Sequence, residues 1–479
     1  MAGIGFELRK LFNKKGFISN ISAYFYSALI TVGPMIISIC MIVFAKLYLS
    51  YLGKTQAQFE LLMATIVYCF ISSMLLTGGF VFILSRFVSD QIFTNEKHKI
   101  LPSFYGAIMI VVVLAAIVGS AFVVYSPLDI SYKVIAYLLF TELSILWVET
   151  VYLSTLKDYV RILIDFLCAA CITILLSIVF VSYFSYDTIT LILISMTLGF
   201  LFTDLLFGVF IRKVYPAFKT GIFEFLKYIC KYFSLFLIGF FLTSAIYIHN
   251  FVFWASDNSV VAGNTFIYCP MYDVPVFFSI LTIIPAMVIF IVSVETNFYG
   301  KYRLYYSAIL NGGTINEIKL AKKEMMDVLS SEIAYIIEVQ LFTSIVSIAL
   351  GMKFLPRMGF TEIAINMLSM LVLASFVYVA MYVIVLLMLY FDDRMGALVV
   401  AVVFFVCNLV FTLITLYLGE NFYGTGYFAA GFIALIIALG RFSYFLKNID
   451  YYTFCRQSLV ADTKESLFSR LIGRLSSRI

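Results

Sequence analysis

Apolar residues run through this chain in long unbroken stretches, separated by short polar segments. A helix crossing a hydrocarbon layer ~30 Å thick needs ~20 mostly apolar residues. Twelve such stretches are expected. The first six are residues 22–45, 61–84, 103–126, 132–154, 160–183 and 188–211; the second six are 229–248, 273–296, 334–354, 363–390, 397–418 and 424–447. Continuous runs favour helices over a barrel, whose strands alternate apolar and polar positions. A helix also pairs its own backbone groups, as lipid demands.

Composition narrows the class further. Of 479 residues, 63% are hydrophobic and 12% charged, against roughly 45–50% and 25% in soluble domains. So few charges could not cover a water-soluble surface, and disordered and disulfide-scaffold classes fall on the same figures. The expected fold is an all-α polytopic membrane protein, with about 12 transmembrane helices in two six-helix bundles.

Basic residues orient such a chain, because cytoplasmic segments are enriched in Lys and Arg. With the N-terminus inside, 27 of the 32 Lys and Arg fall on the cytoplasmic side, and the outer side keeps Lys46, Lys54, Lys133, Lys353 and Arg357. The acids divide as 15 inside, 7 outside and 5 within spans. Both termini are therefore expected in the cytoplasm. The expected order is a basic amphipathic N-terminus (1–21), a six-helix bundle (22–211) and a cytoplasmic linker (212–228). A second bundle (229–447) with a cytoplasmic loop (297–333) and a cytoplasmic tail (448–479) complete it. The first run is too long for a signal peptide and lacks a small-residue cleavage site, so an uncleaved span is expected. Within 297–333, NGGTINEIKLAKKEMMDVLSSEI suits an amphipathic surface helix.

Two bundles that each start inside would be parallel repeats, with a substrate cavity between them. Cytoplasmic connections around Arg86–Pro102 and Glu295–Glu332 follow each half's second helix, and turns at Lys157–Arg161 and Phe391–Gly396 follow each fourth helix. Gly33-Pro34, Gly78-Gly79 and Pro285 interrupt the first, second and eighth spans; they mark either functional bends or the Gly and Pro ordinary in membrane helices.

Ionisable groups at lipid depth are costly and mark candidate function. Glu142 lies about ten residues into the fourth span, roughly 15 Å deep at ~1.5 Å per residue. Glu149, seven residues later, shares its helix face. Asp204 sits in the cytoplasmic half of the sixth span. Three readings compete for these transport-path candidates: a coupling site for a proton or sodium ion, hydrogen-bond acceptors for sugar hydroxyls or amides, or structural ties between helices. Lys157 is a candidate partner for Glu149, whereas Glu142 has none on its own helix. Glu295 and Glu338 lie near cytoplasmic helix ends. No Lys or Arg sits near the middle of any span, which weighs against deep binding of a phosphate group.

Other chemistry is scarce. There are 33 Tyr and 50 Phe, suited to interface anchoring and core packing, with stacking on sugar faces as an alternative. Cys269 has no outer partner, and Cys168 and Cys171, as C-A-A-C in a lipid-depth helix, read as packing residues. Gly312-Gly313 is not a phosphate-binding loop, because G-x-x-x-x-G-K-[S/T] is absent. His98 and His249 are isolated. No enzyme, cofactor or metal site is expected.

Several polar strings carry a resemblance. MAGIGFELRKL (Met1–Leu11), TVGP (Thr31–Pro34), LLTGGFVFILSRFVSDQIF (Leu75–Phe93), VSVETNFYGKYRLYYSAILNGG (Val292–Gly313), YFDDR (Tyr390–Arg394) and YYTFCRQ (Tyr451–Gln457) occur in order. Together they resemble the Pel exopolysaccharide transporter family, PelG, which is distantly similar to the multidrug/oligosaccharidyl-lipid/polysaccharide exporter superfamily. The resemblance implies a bacterial inner-membrane exporter of a polymer rich in N-acetylgalactosamine, with some glucosamine-type residues. It also implies a cytosolic glycosyltransferase partner and small membrane partners, one of them a cyclic di-GMP sensor. Arg86, Asp90 and Glu295, in the matching strings, would then belong to the cytoplasmic mouth. The basic surplus inside reads either as positive-inside bias with anionic-lipid contact or as a docking surface for the glycosyltransferase. That surface would include Met1–Lys15, Lys319, Lys322, Lys323 and the tail from Asn448. A lipid-linked oligosaccharide flippase, a cation-coupled drug antiporter and a non-conducting scaffold for the glycosyltransferase stay open as alternatives.

Overall fold

The computed structural model of the chain describes residues 17–154, 159–215 and 221–455. Met1–Lys15, Lys157 and most of the tail, all named above as candidates, lie outside the described residues. Among the described residues twelve helices are long and apolar enough to cross a membrane, so the protein is an all-α multi-pass membrane protein.

The first seven long helices are α1 (Phe17–Tyr51), α2 (Gln56–Phe93), α3 (Ile100–Tyr125), α4 (Ile130–Ser154), α5 (Tyr159–Tyr183), α6 (Thr188–Val214) and α7 (Phe233–Trp254). The eighth span is α8 (Pro270–Leu281) and α9 (Ile284–Ser293), continued by α10 (Tyr299–Leu310). Then come α11 (Ile315–Phe354), α12 (Glu362–Tyr390), α13 (Arg394–Leu418) and α14 (Thr425–Lys447). Contacts divide the chain into two compact units: one holds 34–270, 393–405 and the residues from 441, and the other holds 271–392, 406–440 and the start of α1.

In the first unit α2 is the central helix, with α4 and α7 packed along it. Gly78 and Gly239 let the backbones of α2 and α7 meet: a Cβ on Gly239 would lie 2.4 Å from the carbonyl oxygen of Gly78. The Gly78-Gly79 pair therefore marks a helix crossing, and α2 runs through it without interruption. α1 likewise passes through Pro34 as one helix. Burial of Leu84, Phe87, Phe104, Leu139, Leu143, Tyr152 and Phe207 fills the core between α2, α3, α4 and α6. A short hairpin, β1 (Val260–Ala262) against β2 (Phe266–Tyr268), caps this unit. Tyr68 of α2 holds it by donating from its hydroxyl to the carbonyl of Ile267 at 2.6 Å and accepting from the same residue's N–H at 3.2 Å.

In the second unit the eighth span is broken where expected. α8 ends at Leu281 and α9 restarts at Ile284, with Pro285 in its first turn, where a missing N–H costs nothing. One π-helical turn, Val294–Phe298, joins α9 to α10. The surface helix anticipated within 297–333 is instead the first part of α11, continuous with the ninth span. Its 40 residues reach ~60 Å at 1.5 Å per residue, about twice a hydrocarbon layer. Its start is fixed by a capping box: Thr314 Oγ1 accepts from the Glu317 N–H at 3.3 Å, and Glu317 accepts from the Thr314 N–H at 2.7 Å. Those backbone and side-chain bonds hold the Glu317 carboxyl below its ordinary range. α10 lies against α11 as a helical hairpin, tied by Lys301 to Glu324 at 2.9 Å. α12 is the most buried span of this unit, with 78% of its apolar window enclosed.

Candidate functional site

The three path candidates come together inside the first unit. Glu142 and Glu149 sit on one face of α4, and Asp204 sits on α6, which packs against α4. All three are buried: Glu149 is 2% exposed and the other two 8%. Asp204 lies within electrostatic range of Glu149 first and Glu142 second. One turn beyond Asp204, Gly208 opposes Glu149; a Cβ there would stand 3.6 Å from Glu149 Oε1. That is an ordinary van der Waals distance, so Gly208 places α6 beside Glu149 without a crowded contact.

No protein group neutralises this cluster among the described residues. Oε2 of Glu142, Oε2 of Glu149 and both carboxylate oxygens of Asp204 are buried without a hydrogen-bond partner. Arg161 of α5 is committed elsewhere, 3.8 Å from Asp165 and with its guanidinium 4.1 Å from the Phe210 ring centroid. No three His, Cys, Asp or Glu side chains are grouped tightly enough to hold a metal ion among the described residues, so the three carboxylates do not form a compact coordination shell. A buried carboxylate is costly unless paired, and three together leave a concentration of negative charge that something else must answer.

The mouth candidates divide. Arg86 and Asp90 form an i,i+4 pair at 3.2 Å near the end of α2, half-exposed. The side chain of Glu295 lies outside the described residues, although its backbone falls in the π-helical turn. Beside that turn, Glu332 of α11 accepts from Asn297 Nδ2 at 2.6 Å and from the Ser293 hydroxyl. Glu338 is exposed. Of the docking candidates, Lys319 and Lys323 are exposed one turn apart on α11, and Lys322 is half-buried.

Sequence reasoning missed two buried acids. Asp393, in YFDDR, is 1% exposed and receives two hydrogen bonds of 2.8 Å from Arg441 Nε and Nη2. It also caps α13 by accepting from the Gly396 N–H at 3.4 Å. Its place just before an apolar run was the available signal, since Asp favours helix N-caps. Asp165 is the other, buried on α5 beside Arg161. The reading of Cys168 and Cys171 as packing residues is corrected: both are exposed thiols on α5, outside any disulfide. Cys269 is buried, its thiol donating to the carbonyl of Asn258 at 3.5 Å.

An outward-facing multidrug resistance MATE family transporter of the MOP superfamily is similar at TM-score 0.60 and 12% identity, over 89% of this chain and 96% of that one. A MOP superfamily transporter from Pyrococcus furiosus gives 0.59 and 14% identity, over 89% and 96%. An inward-facing MATE transporter gives 0.53 and 14%, over 82% and 92%. At such identities the likeness shows a shared transporter fold. No curated protein is a sequence match. The PelG family model, described as an exopolysaccharide exporter (EPS-E), matches residues 1–454. With its polar strings, its twelve spans and nearly its whole length matched, the chain belongs to the PelG family of exopolysaccharide exporters.

Proposed function

We propose that this protein exports a hexosamine-rich exopolysaccharide across a bacterial cytoplasmic membrane, as the polymer leaves a cytosolic glycosyltransferase. Both termini and the α10–α11 hairpin face the cytoplasm in this reading, as the distribution of Lys and Arg supports. The observation that carries it is the cluster of Glu142, Glu149 and Asp204, buried in a transporter fold with no cation beside it among the described residues. A polymer with glucosamine-type units offers hydroxyls, amides and ammonium groups, all of which pair with a carboxylate. A proton or sodium ion answers the same charge and would couple export to an ion gradient. Arg86 and Asp90 border the cytoplasmic entry, and Lys319, Lys322 and Lys323 present the hairpin to the glycosyltransferase.

The test is the hexosamine content of secreted and surface-bound carbohydrate in a strain deleted for this gene. Wild type should restore it. Glu142→Gln and Asp204→Asn should not, while accumulating in the membrane at normal levels. Restoration by both variants would remove the cluster from the path and favour a scaffold for the glycosyltransferase. A polymer unchanged by the deletion would overturn export altogether. A second reading, a cation-coupled antiporter, draws support from the same acids and from the multidrug MATE neighbours. It predicts a change in drug sensitivity on deletion, which the export reading does not.

A further inference from the structure

Between α10 and α11 runs an open groove of about 410 Å³. Leu304 and Ala308 line it from α10, and Leu320 and Ala321 from α11. Glu317 and Glu324 line it as well, seven residues apart and so on one face of α11. Leu304 is 53% exposed and Leu320 60%, so two large apolar side chains flank a floor of alanine. The hairpin that frames the groove is closed tightly. Gly312 takes a φ of 71°, and a Cβ on Gly313 would fall 2.7 Å from the Ala308 carbonyl oxygen. Apolar anchors on two adjoining helices, with small residues between them, suit the apolar edge of a third helix. The rim is acidic at one end: Glu324 is paired with Lys301 at 2.9 Å, whereas Glu317 is bonded to the neutral Thr314 N–H and keeps its charge at the exposed rim. Lys319 is two residues past Glu317 and Lys323 one before Glu324, positions that face away from those acids on a helix.

The chain ahead of α1 has the complementary chemistry. In residues 1–16, Ile4, Leu8 and Leu11 recur at i, i+4 and i+7, the spacing of one helix edge. Arg9, Lys10, Lys14 and Lys15 surround them, against a single acid, Glu7. The start of α1 belongs to the same compact unit as the hairpin. Eight spans separate the start of α1 from the hairpin, and an even number of crossings returns the chain to the side it left. The segment also has the reach: residues 1–16 extend ~24 Å as a helix and ~50 Å when extended, against ~30 Å for the charged first half of α11.

We propose that the α10–α11 groove is the docking site of the protein's own N-terminal segment, residues 1–16. Ile4, Leu8 and Leu11 seat between Leu304 and Leu320, and the surrounding basic residues meet the charge of Glu317. The hairpin thereby becomes a three-helix unit on one side of the membrane. A lipid surface competes for any basic amphipathic segment, but it offers neither the paired anchors nor a fixed carboxylate at the rim. The idea stands apart from export, and its test involves no transport, so either can fail without the other.

The full-length protein is made with the photo-reactive residue p-benzoylphenylalanine in place of Leu8 and placed in nanodiscs containing phosphatidylglycerol. After irradiation, mass spectrometry reads what residue 8 has joined. The main product should link it to peptides within residues 304–324 of the same chain. Leu320→Glu, at an exposed anchor, should lower that yield at least about fivefold, and Glu317→Lys should do the same. Glu317→Gln, which keeps a capping-box side chain and loses the charge, should fall between Glu317→Lys and wild type. Lys319→Glu, away from the groove, should change the yield less than about twofold. Adducts mainly with lipid, with a second copy or with other parts of the chain would overturn the proposal. So would an unchanged yield in Leu320→Glu with wild-type thermal unfolding.

Discussion

Removing Arg441 should destabilise this protein more than removing the acid it serves. Asp393 is 1% exposed and Arg441 is 30% exposed, so the carboxylate has no route to water while the guanidinium keeps one. Loss of one partner from a buried pair costs ~3–5 kcal/mol, because a charge is left without compensation. The partial exposure of Arg441 puts Arg441→Leu at the lower end, about 3 kcal/mol. Asp393→Asn buries no charge, keeps an oxygen for the Gly396 N–H and leaves Arg441 able to turn to water, so about 1–2 kcal/mol is expected. Combining the two removes both charges, and the double variant should recover about 1.5–3 kcal/mol relative to the sum. Gly396→Ala supplies an uncharged check. Its Cβ would fall 2.3 Å from Asp393 Oδ2 and 2.9 Å from Arg441 Nε, so it should break the same pair and add little to Asp393→Asn. Thermal unfolding of the purified protein in detergent, read by size-exclusion of a fluorescent fusion, orders the four variants. Additivity within about 0.5 kcal/mol, or Arg441→Leu no worse than Asp393→Asn, would refute a buried pair acting as one unit.

Gly239→Val should separate α2 from α7 and cost about 1–3 kcal/mol by overpacking; a monodisperse, wild-type elution profile would show that the crossing tolerates a side chain. The depressed Glu317 carboxyl gives the start of α11 a pH dependence. Its stabilisation is present above the unfolded-state value of ~4.3 and disappears as pH falls through the lower folded value, so the protection of first-turn amides, relative to their intrinsic exchange rates, should fall only on acidification. Glu317→Gln should remove that dependence, and an unchanged pH profile in the variant would refute it. Neutralising Lys319, Lys322 and Lys323 together should lower co-purification of the glycosyltransferase severalfold; unaltered recovery would end the docking idea for this stretch.

The twelve spans were legible because lipid imposes one rule, about 20 apolar residues with internally paired backbone. The eighth span's break was legible too, since Pro285 can stand only at a helix start or a kink. The hairpin Val260–Tyr268 was not, because strands of three residues give no period to read. The rod of α11 was hidden by its own composition: the charged stretch and the apolar stretch share one helix, and only the capping box at Thr314 marks where it begins. Glu142 and Glu149 could be placed on one face by counting seven residues. Their meeting with Asp204 depends on how α4 and α6 pack, and no spacing within either helix encodes it. Cys168 and Cys171 misled for the opposite reason, since apolar neighbours do not say which side of a helix is buried.

The buried acids of this protein fall into two kinds, and the difference bears on function. Among the described residues Asp165 has Arg161 one turn away on its own helix, and Asp393 has Arg441 on a neighbouring one. The fold thus supplies a cation to a buried carboxylate where the need is structural. At Glu142, Glu149 and Asp204 the described residues supply none, although three acids concentrate far more charge than one. Glutamine or asparagine would tie the same helices by hydrogen bonds without a charge to bury. Retaining three carboxylates there, with four oxygen atoms unpartnered, makes sense if the compensating charge arrives and leaves during work. Replacing one of them by its amide should therefore leave the fold as stable as before, or more so, while export fails. A structural tie would show the reverse, with stability lost first.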